Sequence, residues 1–111
     1  MEKNKTDELL SFLKEEPDDP FLKYALALEY IKCGSLHEAF FYLNTLLEAQ
    51  PGYLAAYYQL GKVLETLARC DEAISTYAKG MEMALSQNKK HTYSELQQAY
   101  KLASGNEDEF D

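Results

Sequence analysis

Apolar residues recur along the chain at helical spacing, in blocks parted by short polar breaks. Leu9, Leu10, Phe12 and Leu13 form the first block, closed by Pro17-Asp18-Asp19-Pro20. Thr6 is placed to cap it, and Asp7 and Glu8 fall in its first turn, where acids suit the helix dipole. The spacing predicts a short helix over 6–16. The next block, from Pro20 to about Cys33, follows a capping acid and opens on a proline, which lacks the N–H that a helix start leaves unpaired anyway. Gly34 is suited to end it in a left-handed conformation. Ser35-Leu36-His37-Glu38 reads as a capping box for a helix over Leu36 to Ala49, which Pro51-Gly52 breaks. Further helices are expected over about Leu54 to Leu67, from Asp71 to Gln87 after an Arg69-Cys70-Asp71 turn, and from Thr92 to Ala103. The last follows the polar break Asn88-Lys89-Lys90-His91, with Thr92-Tyr93-Ser94-Glu95 as a second capping box. Its apolar side carries Tyr93, Leu96, Tyr100 and Ala103. Connections this short favour antiparallel neighbours.

The blocks also repeat. Tyr57-x-x-Leu60-Gly61-x-x-Leu64 and Ala73-x-x-x-Tyr77 are preceded, 34 residues upstream, by Lys23-x-x-Leu26-Ala27-x-x-Tyr30 and Ala39-x-x-x-Leu43, closed by Pro51. Tyr24/Tyr58 and Glu38/Glu72 keep the offset, and Pro17 lies 34 residues before Pro51. Leu9 therefore aligns with Leu43 and Tyr77, and Phe12 with Leu46. Self-similarity at this period is the mark of stacked helical hairpins. Gly61 costs about 1 kcal/mol of helix propensity against alanine; close approach of a neighbouring backbone is the expected reason for it.

These residues resemble the tetratricopeptide repeat, whose pattern is an aromatic, Leu-Gly and Tyr in the first helix, then Ala-x-x-x-Phe and a closing Pro. Lys23 replaces the aromatic, Leu64 the tyrosine, and Gly80 a small alanine. The resemblance implies an all-α fold, an α-α superhelix of antiparallel helix hairpins with about six helices. It divides a single domain over 6–103 into a half-repeat helix (6–16), repeat one (20–53), repeat two (54–87) and a capping helix (92–103) of the kind such arrays need. The expectation is a complete small array, with a loose N-terminus over 1–5 and an acidic disordered tail over 104–111.

The balance of charge narrows the partners. The 111-residue chain has a formal net charge of −8, which repels phosphate backbones, so no nucleic-acid partner is expected; Lys3, Lys5, Lys89 and Lys90 make no basic stripe. No apolar run suggests a signal peptide or a membrane span, so no membrane partner is expected. Two cysteines are too few for a disulfide framework, and a reducing, cytoplasmic setting is expected.

Catalytic and metal chemistry find little support. Cys33, His37, Cys70 and Asp71 are ligand types near turns, but no Cys-x-x-Cys or close His pair is present, so no metal and no cofactor is expected. The cysteines read as small turn-packing hydrophobes. Neither His37 nor His91 has a nucleophile or carboxylate placed beside it by sequence as an acid–base partner, and there is no Gly-rich phosphate loop, HExxH or GxSxG. No catalytic residue is assigned.

Binding is the stronger expectation. The resemblance implies a concave groove lined by the inner face of each repeat's first helix: Phe21, Tyr24, Leu28 and Ile31 in repeat one, and Ala55, Tyr58, Lys62 and Glu65 in repeat two. Leu28 and Lys62 stand where a carboxylate-clamping asparagine would be expected, which argues against capture of a free C-terminal carboxylate. The implied function is a non-catalytic scaffold that holds a peptide segment of a partner protein. Two alternatives stay open at this level. The same apolar stripe could be consumed by packing of the terminal helices, or it, or the last helix, could serve homodimerisation.

Overall fold

The computed structural model describes residues 5–105. Among them the chain forms helices α1 (Lys5–Glu15), α2 (Pro20–Lys32), α3 (Leu36–Ala49), α4 (Leu54–Thr66), α5 (Cys70–Ser86) and α6 (Lys90–Ser104). Each helix packs on the next in sequence, and α6 also reaches back to α4. The architecture is an all-α superhelix of antiparallel hairpins.

The helix boundaries have local causes. Asp19 caps α2: its Oδ1 accepts from the backbone N–H of Phe21 at 2.9 Å and of Leu22 at 3.3 Å. The turns after α2, α4 and α5 share one backbone device. Gly34, Ala68 and Asn88 take φ of +80°, +62° and +58°. The residue after each donates its N–H five residues back: Ser35 to Tyr30, Arg69 to Leu64, and Lys89 to Ala84, at 2.8, 2.8 and 2.9 Å. This is the Schellman closure, which satisfies carbonyls left over at a helix end.

That closure explains where the expected starts go wrong. Each following helix begins two residues after the left-handed one, at Leu36, Cys70 and Lys90. Cys70 is thus helical rather than part of a turn, and α6 starts at Lys90, ahead of Thr92. The Ser35 side chain makes no capping hydrogen bond, because its backbone is already set by the closure of α2. Thr92 lies inside α6 and Thr6 inside α1. Ser104 still belongs to α6, with Gly105 left-handed at its end. The remainder of the expected tail, and residues 1–4, lie outside the described residues.

The core runs along the hairpin seams. Leu26, Ala27, Ala39, Leu43 and Leu46 seal α2 against α3, and Leu60, Gly61, Leu64, Ala73 and Tyr77 seal α4 against α5. Gly61 admits a side chain rather than a backbone. A Cβ there would sit 2.1 Å from Cε1 of the Tyr77 ring. Gly80 reciprocates, since a Cβ would sit 2.7 Å from Cβ of Tyr57. Two tyrosines thus lie on two glycines across one seam. Leu96 and Ala99 bury α6 at the end of the stack.

Candidate functional site: the concave face

The first helices of the two hairpins, α2 and α4, carry the expected groove residues. Phe21 is 62% exposed and Tyr58 38%, and Ala55 is exposed. Tyr24, Leu28, Ile31, Lys62 and Glu65 are half-buried. For all but Leu28 the reason is visible. The Tyr24 ring packs on that of Tyr53, with centroids 5.4 Å apart. Ile31 packs against the core. Lys62 places its ammonium 5.4 Å from the centre of the Tyr58 ring and 4.0 Å from Glu65 Oε2.

Glu65 is tied to the scaffold as well as to the groove. Its Oε2 accepts the Tyr77 hydroxyl at 2.5 Å. Burial, then this hydrogen bond and the carboxylate's charge, push the Tyr77 phenol well above its ordinary value. The Tyr58 ring in turn lies 6.4 Å from that of Tyr77. A relay of contacts, Tyr77 to Glu65 to Lys62 to Tyr58, therefore holds the groove's repeat-two side in place.

Helix α6 supplies a wall that sequence reasoning did not assign. Tyr58 and Lys62 share a cleft of about 460 Å³ with Glu95, Gln98, Ala99 and Leu102 of α6. A smaller hollow of about 230 Å³ adjoins it, with Tyr24, Ala55 and Tyr58 on one side and Thr92 and Glu95 on the other. The expected sticky side of α6 provides Leu96 to the core, whereas the cleft is faced by the neighbouring stripe of Glu95, Gln98 and Leu102. The i, i+3, i+7 spacing of those three was visible, but only the way α6 leans on α4 makes it a wall. The rim is mixed in charge, with Lys62 on one side and Glu95 on the other; Glu95 lies 3.1 Å from His91 Nε2, a carboxylate neighbour one helical turn on that sequence reasoning did not give this histidine.

A second aromatic cluster lies off this face and was also not singled out from sequence. The Tyr30 and Tyr42 rings stack at 5.8 Å with planes 9° apart. Phe41 meets Tyr42 edge-on at 5.1 Å while remaining 58% exposed. Arg69 lies over Phe40 and forms a two-pronged ion pair with Glu72 at 2.9 and 2.7 Å. The run Phe40-Phe41-Tyr42 was its signal.

Ligand types for a metal do not converge: among the described residues no group of three or more His, Cys, Asp and Glu is placed to hold an ion. Cys33 and Cys70 are both free and exposed, so they do not pack as small hydrophobes. No helix among the described residues is long and apolar enough to cross a membrane.

With this geometry the comparisons with known proteins are unambiguous. The family model for the tetratricopeptide repeat matches residues 22–53 and 54–87. A tetratricopeptide repeat domain protein from Salinibacter ruber, solved in solution, is 42% identical, with a TM-score of 0.77 over 86% of this chain and 96% of its own. The crystal structure of the Salinibacter ruber domain protein is 44% identical, with a TM-score of 0.75 over 78% of this chain and 97% of its own. The TPR2B domain of yeast Sti1, solved in complex with pHsp70, shares the fold at 21% identity, with a TM-score of 0.84 over 91% of this chain and 81% of its own. No curated protein matches the chain. The chain belongs to the tetratricopeptide repeat family. Domains of this fold generally mediate protein–protein interaction and are typically non-catalytic.

Proposed function

We propose that this protein is a non-catalytic scaffold that binds an extended segment of a partner protein along the concave face. The observation that carries this reading is the cleft between Tyr58 and Lys62 of α4 and the Gln98–Leu102 stripe of α6, on the same face as exposed Phe21. An apolar or aromatic side chain of the segment would enter the cleft against Tyr58 and Leu102. Backbone groups would meet Gln98 and the Lys62–Glu95 rim. The groove set is Phe21, Tyr24, Leu28, Ile31, Ala55, Tyr58, Lys62 and Glu65, extended by Glu95, Gln98 and Leu102. A net charge of −8 favours segments with basic flanks. The Sti1 domain, of the same fold, was solved in complex with pHsp70; in this chain Leu28 and Lys62 stand where a carboxylate-clamping asparagine would be expected, so the segment it takes need not end in a free carboxylate. Exposed free thiols suit a reducing compartment, and we place the protein in the cytoplasm.

The test uses peptides selected on the intact protein from a random linear library. A Phe21→Ala plus Tyr58→Ala variant spares Tyr24, which props Tyr53. Selected peptides should bind it more than about tenfold more weakly, as expected when central aromatic anchors are removed. A Phe41→Ala variant should bind as the parent does. Equal binding to the double variant, with its helicity intact, would discard the groove.

A further inference from the structure

The 34-residue register places Lys5, Leu9, Phe12 and Glu16 of the first hairpin half at the positions of Ala39, Leu43 and Leu46 in α3 and Gln50 just past it, and of Ala73, Tyr77, Gly80 and Ala84 in α5. In α3 and α5 this stripe faces the helix before it and is sealed: Ala39, Leu43, Leu46, Ala73, Tyr77 and Ala84 have no exposed surface. On α1 the same stripe is only partly covered: Leu9 is half-buried, and Lys5, Phe12 and Glu16 are exposed. Among the described residues α1 packs on α2, Leu10 and Leu13 are half-buried as well, none of its residues is buried, and Phe12 stays 56% exposed. Glu16 continues the helical line, since its N–H donates to the Phe12 carbonyl at 2.9 Å.

The ends of the stripe say what kind of surface should cover it. Where a preceding helix does so, the end positions that it covers are uncharged: Ala39 in α3, Ala73 and Ala84 in α5; Gln50, the residue after α3, is exposed and likewise uncharged. On the first half-hairpin they are a cation, Lys5 at the start of α1, and an anion, Glu16 just past its end, both exposed. The stripe therefore reads positive, apolar, apolar, negative. Such a sequence is complementary to itself when run backwards. If Leu9 is set opposite Phe12 of a second α1, Lys5 falls opposite the second Glu16, and a two-fold axis repeats both pairs.

We propose that a second copy of this chain covers this stripe, α1 against α1 and antiparallel, in a two-fold dimer. The interface is isologous, so each residue's complement is present on the same patch. The two apolar pairs exclude water at the centre, and the ion pairs at the rim set register more than strength. The contact is one helix wide and leaves the concave face free, so it does not depend on the groove reading.

Sedimentation equilibrium of the full chain at low salt tests it, over roughly 10 µM to 1 mM, the range suited to an interface below standard size. A monomer–dimer equilibrium is expected within that range. Lys5→Glu alone and Glu16→Lys alone should each weaken it about tenfold, by turning two attractive pairs into repulsive ones. The double swap, Lys5→Glu with Glu16→Lys, should restore it, and Phe12→Ser should abolish it. The charge variants alter exposed side chains, so the outcome does not turn on folding; circular dichroism checks the Phe12 variant. A monomer across the range overturns the proposal, as does a dimer that the swap leaves no tighter than the single reversals. A monomer that binds a peptide of residues 20–32, the helix type that fills this seat elsewhere in the chain, also overturns it in favour of a foreign helix.

Discussion

Repeat one and repeat two build the same hairpin from different materials. In repeat one the buried centre of the seam between α2 and α3 is aliphatic: Leu26 and Ala27 face Leu43 and Leu46, all fully buried, and its rings, Tyr30 on Tyr42, stack at the half-buried edge. In repeat two the seam between α4 and α5 is an exchange of rings for glycines, Tyr77 onto Gly61 and Tyr57 onto Gly80. The difference decides what each hairpin can present on its outside. An aliphatic seam has no polar end to anchor. A tyrosine seam has two hydroxyls to satisfy, and it sends one to the Pro51 carbonyl and the other to Glu65, both at 2.5 Å. The second bond fixes a carboxylate on the groove face and, through Lys62, orients Tyr58. Repeat two thus links its core to the candidate site through Glu65 and Lys62, whereas in repeat one Tyr24 leans on Tyr53 and Phe21 stays exposed.

The largest expected effect comes from filling the glycines. Gly61→Ala would drive a methyl into the Tyr77 ring, whose escape is blocked by complete burial. We expect a loss of about 3 kcal/mol, the upper range for overpacking a dense core. Gly80→Ala meets Cβ of Tyr57, which is fixed to the α4 backbone, and should cost about 2 kcal/mol. At the position matching Gly61 in repeat one, Ala27→Gly should cost only about 1 kcal/mol, from helix propensity. Urea denaturation gives all three. If Gly61→Ala proves milder than Ala27→Gly, the ring-on-glycine account of repeat two fails.

Tyr77→Phe sharpens the comparison, because it keeps the ring and removes only the tether. Loss of the hydroxyl's bond to Glu65 should cost about 1 kcal/mol at pH 7. Its pH dependence carries a sign. Burial and the Glu65 hydrogen bond raise the Tyr77 phenol in the folded state above its unfolded value near 10. The folded protein therefore holds this proton more tightly than the unfolded chain, so the contribution is complete below about pH 10 and declines as pH rises beyond it. The stability deficit of Tyr77→Phe relative to the parent should shrink steadily as pH rises through 10 and should be gone by about pH 11. Tyr30, Tyr53 and Tyr57 are also raised, chiefly by burial, so the variant keeps a residual alkaline slope. Unfolding curves at stepped pH measure both; parallel curves across the alkaline range would remove the tether from the account.

The repeat and its six helices were legible because periodicity reports which face is buried, and Leu26, Leu60, Ala39 and Ala73 recur at one spacing. The helix starts at Cys70 and Lys90 were not, because the stop residues there are Ala68 and Asn88 rather than glycine, and a left-handed alanine leaves no mark in composition. For the same reason the Ser35 box misled: side-chain chemistry suggested a cap where the backbone had already closed the turn. Of the candidate site, register gave the stripe but not its exposure: Phe21, Ala55 and Tyr58 are exposed, whereas Tyr24, Leu28, Ile31, Lys62 and Glu65 are half-buried, because periodicity cannot tell a packed stripe from an open one. The α6 wall was not legible, because α6 leaves the 34-residue register. Leu96 and Ala99 set its roll on the stack, and that roll turns Glu95, Gln98 and Leu102 toward Tyr58.

The smallest expected effect tests the two repeats at one matched position. Gly34 and Ala68 are 34 residues apart and share a left-handed backbone, with φ of +80° and +62°. At Gly34 nothing lies within 4 Å of where a Cβ would be, so space is not at issue and only conformation is. An L-residue in this region suffers a clash between its Cβ and the following carbonyl, which a glycine avoids. Ala68→Gly should therefore stabilise the protein by a few tenths to about 1 kcal/mol, after the added entropy of the unfolded glycine is set against the relieved strain. Gly34→Ala should destabilise it by about the same amount, since it installs in repeat one the strain that repeat two already carries. The exchange of both residues should come out close to neutral, because the sites are far apart along the stack and share no partner. Thermal unfolding of the two single variants and the exchange measures this. If Ala68→Gly lowers the midpoint, the alanine at the second turn is supported by contacts of its own, and the two turns differ in kind rather than in strain.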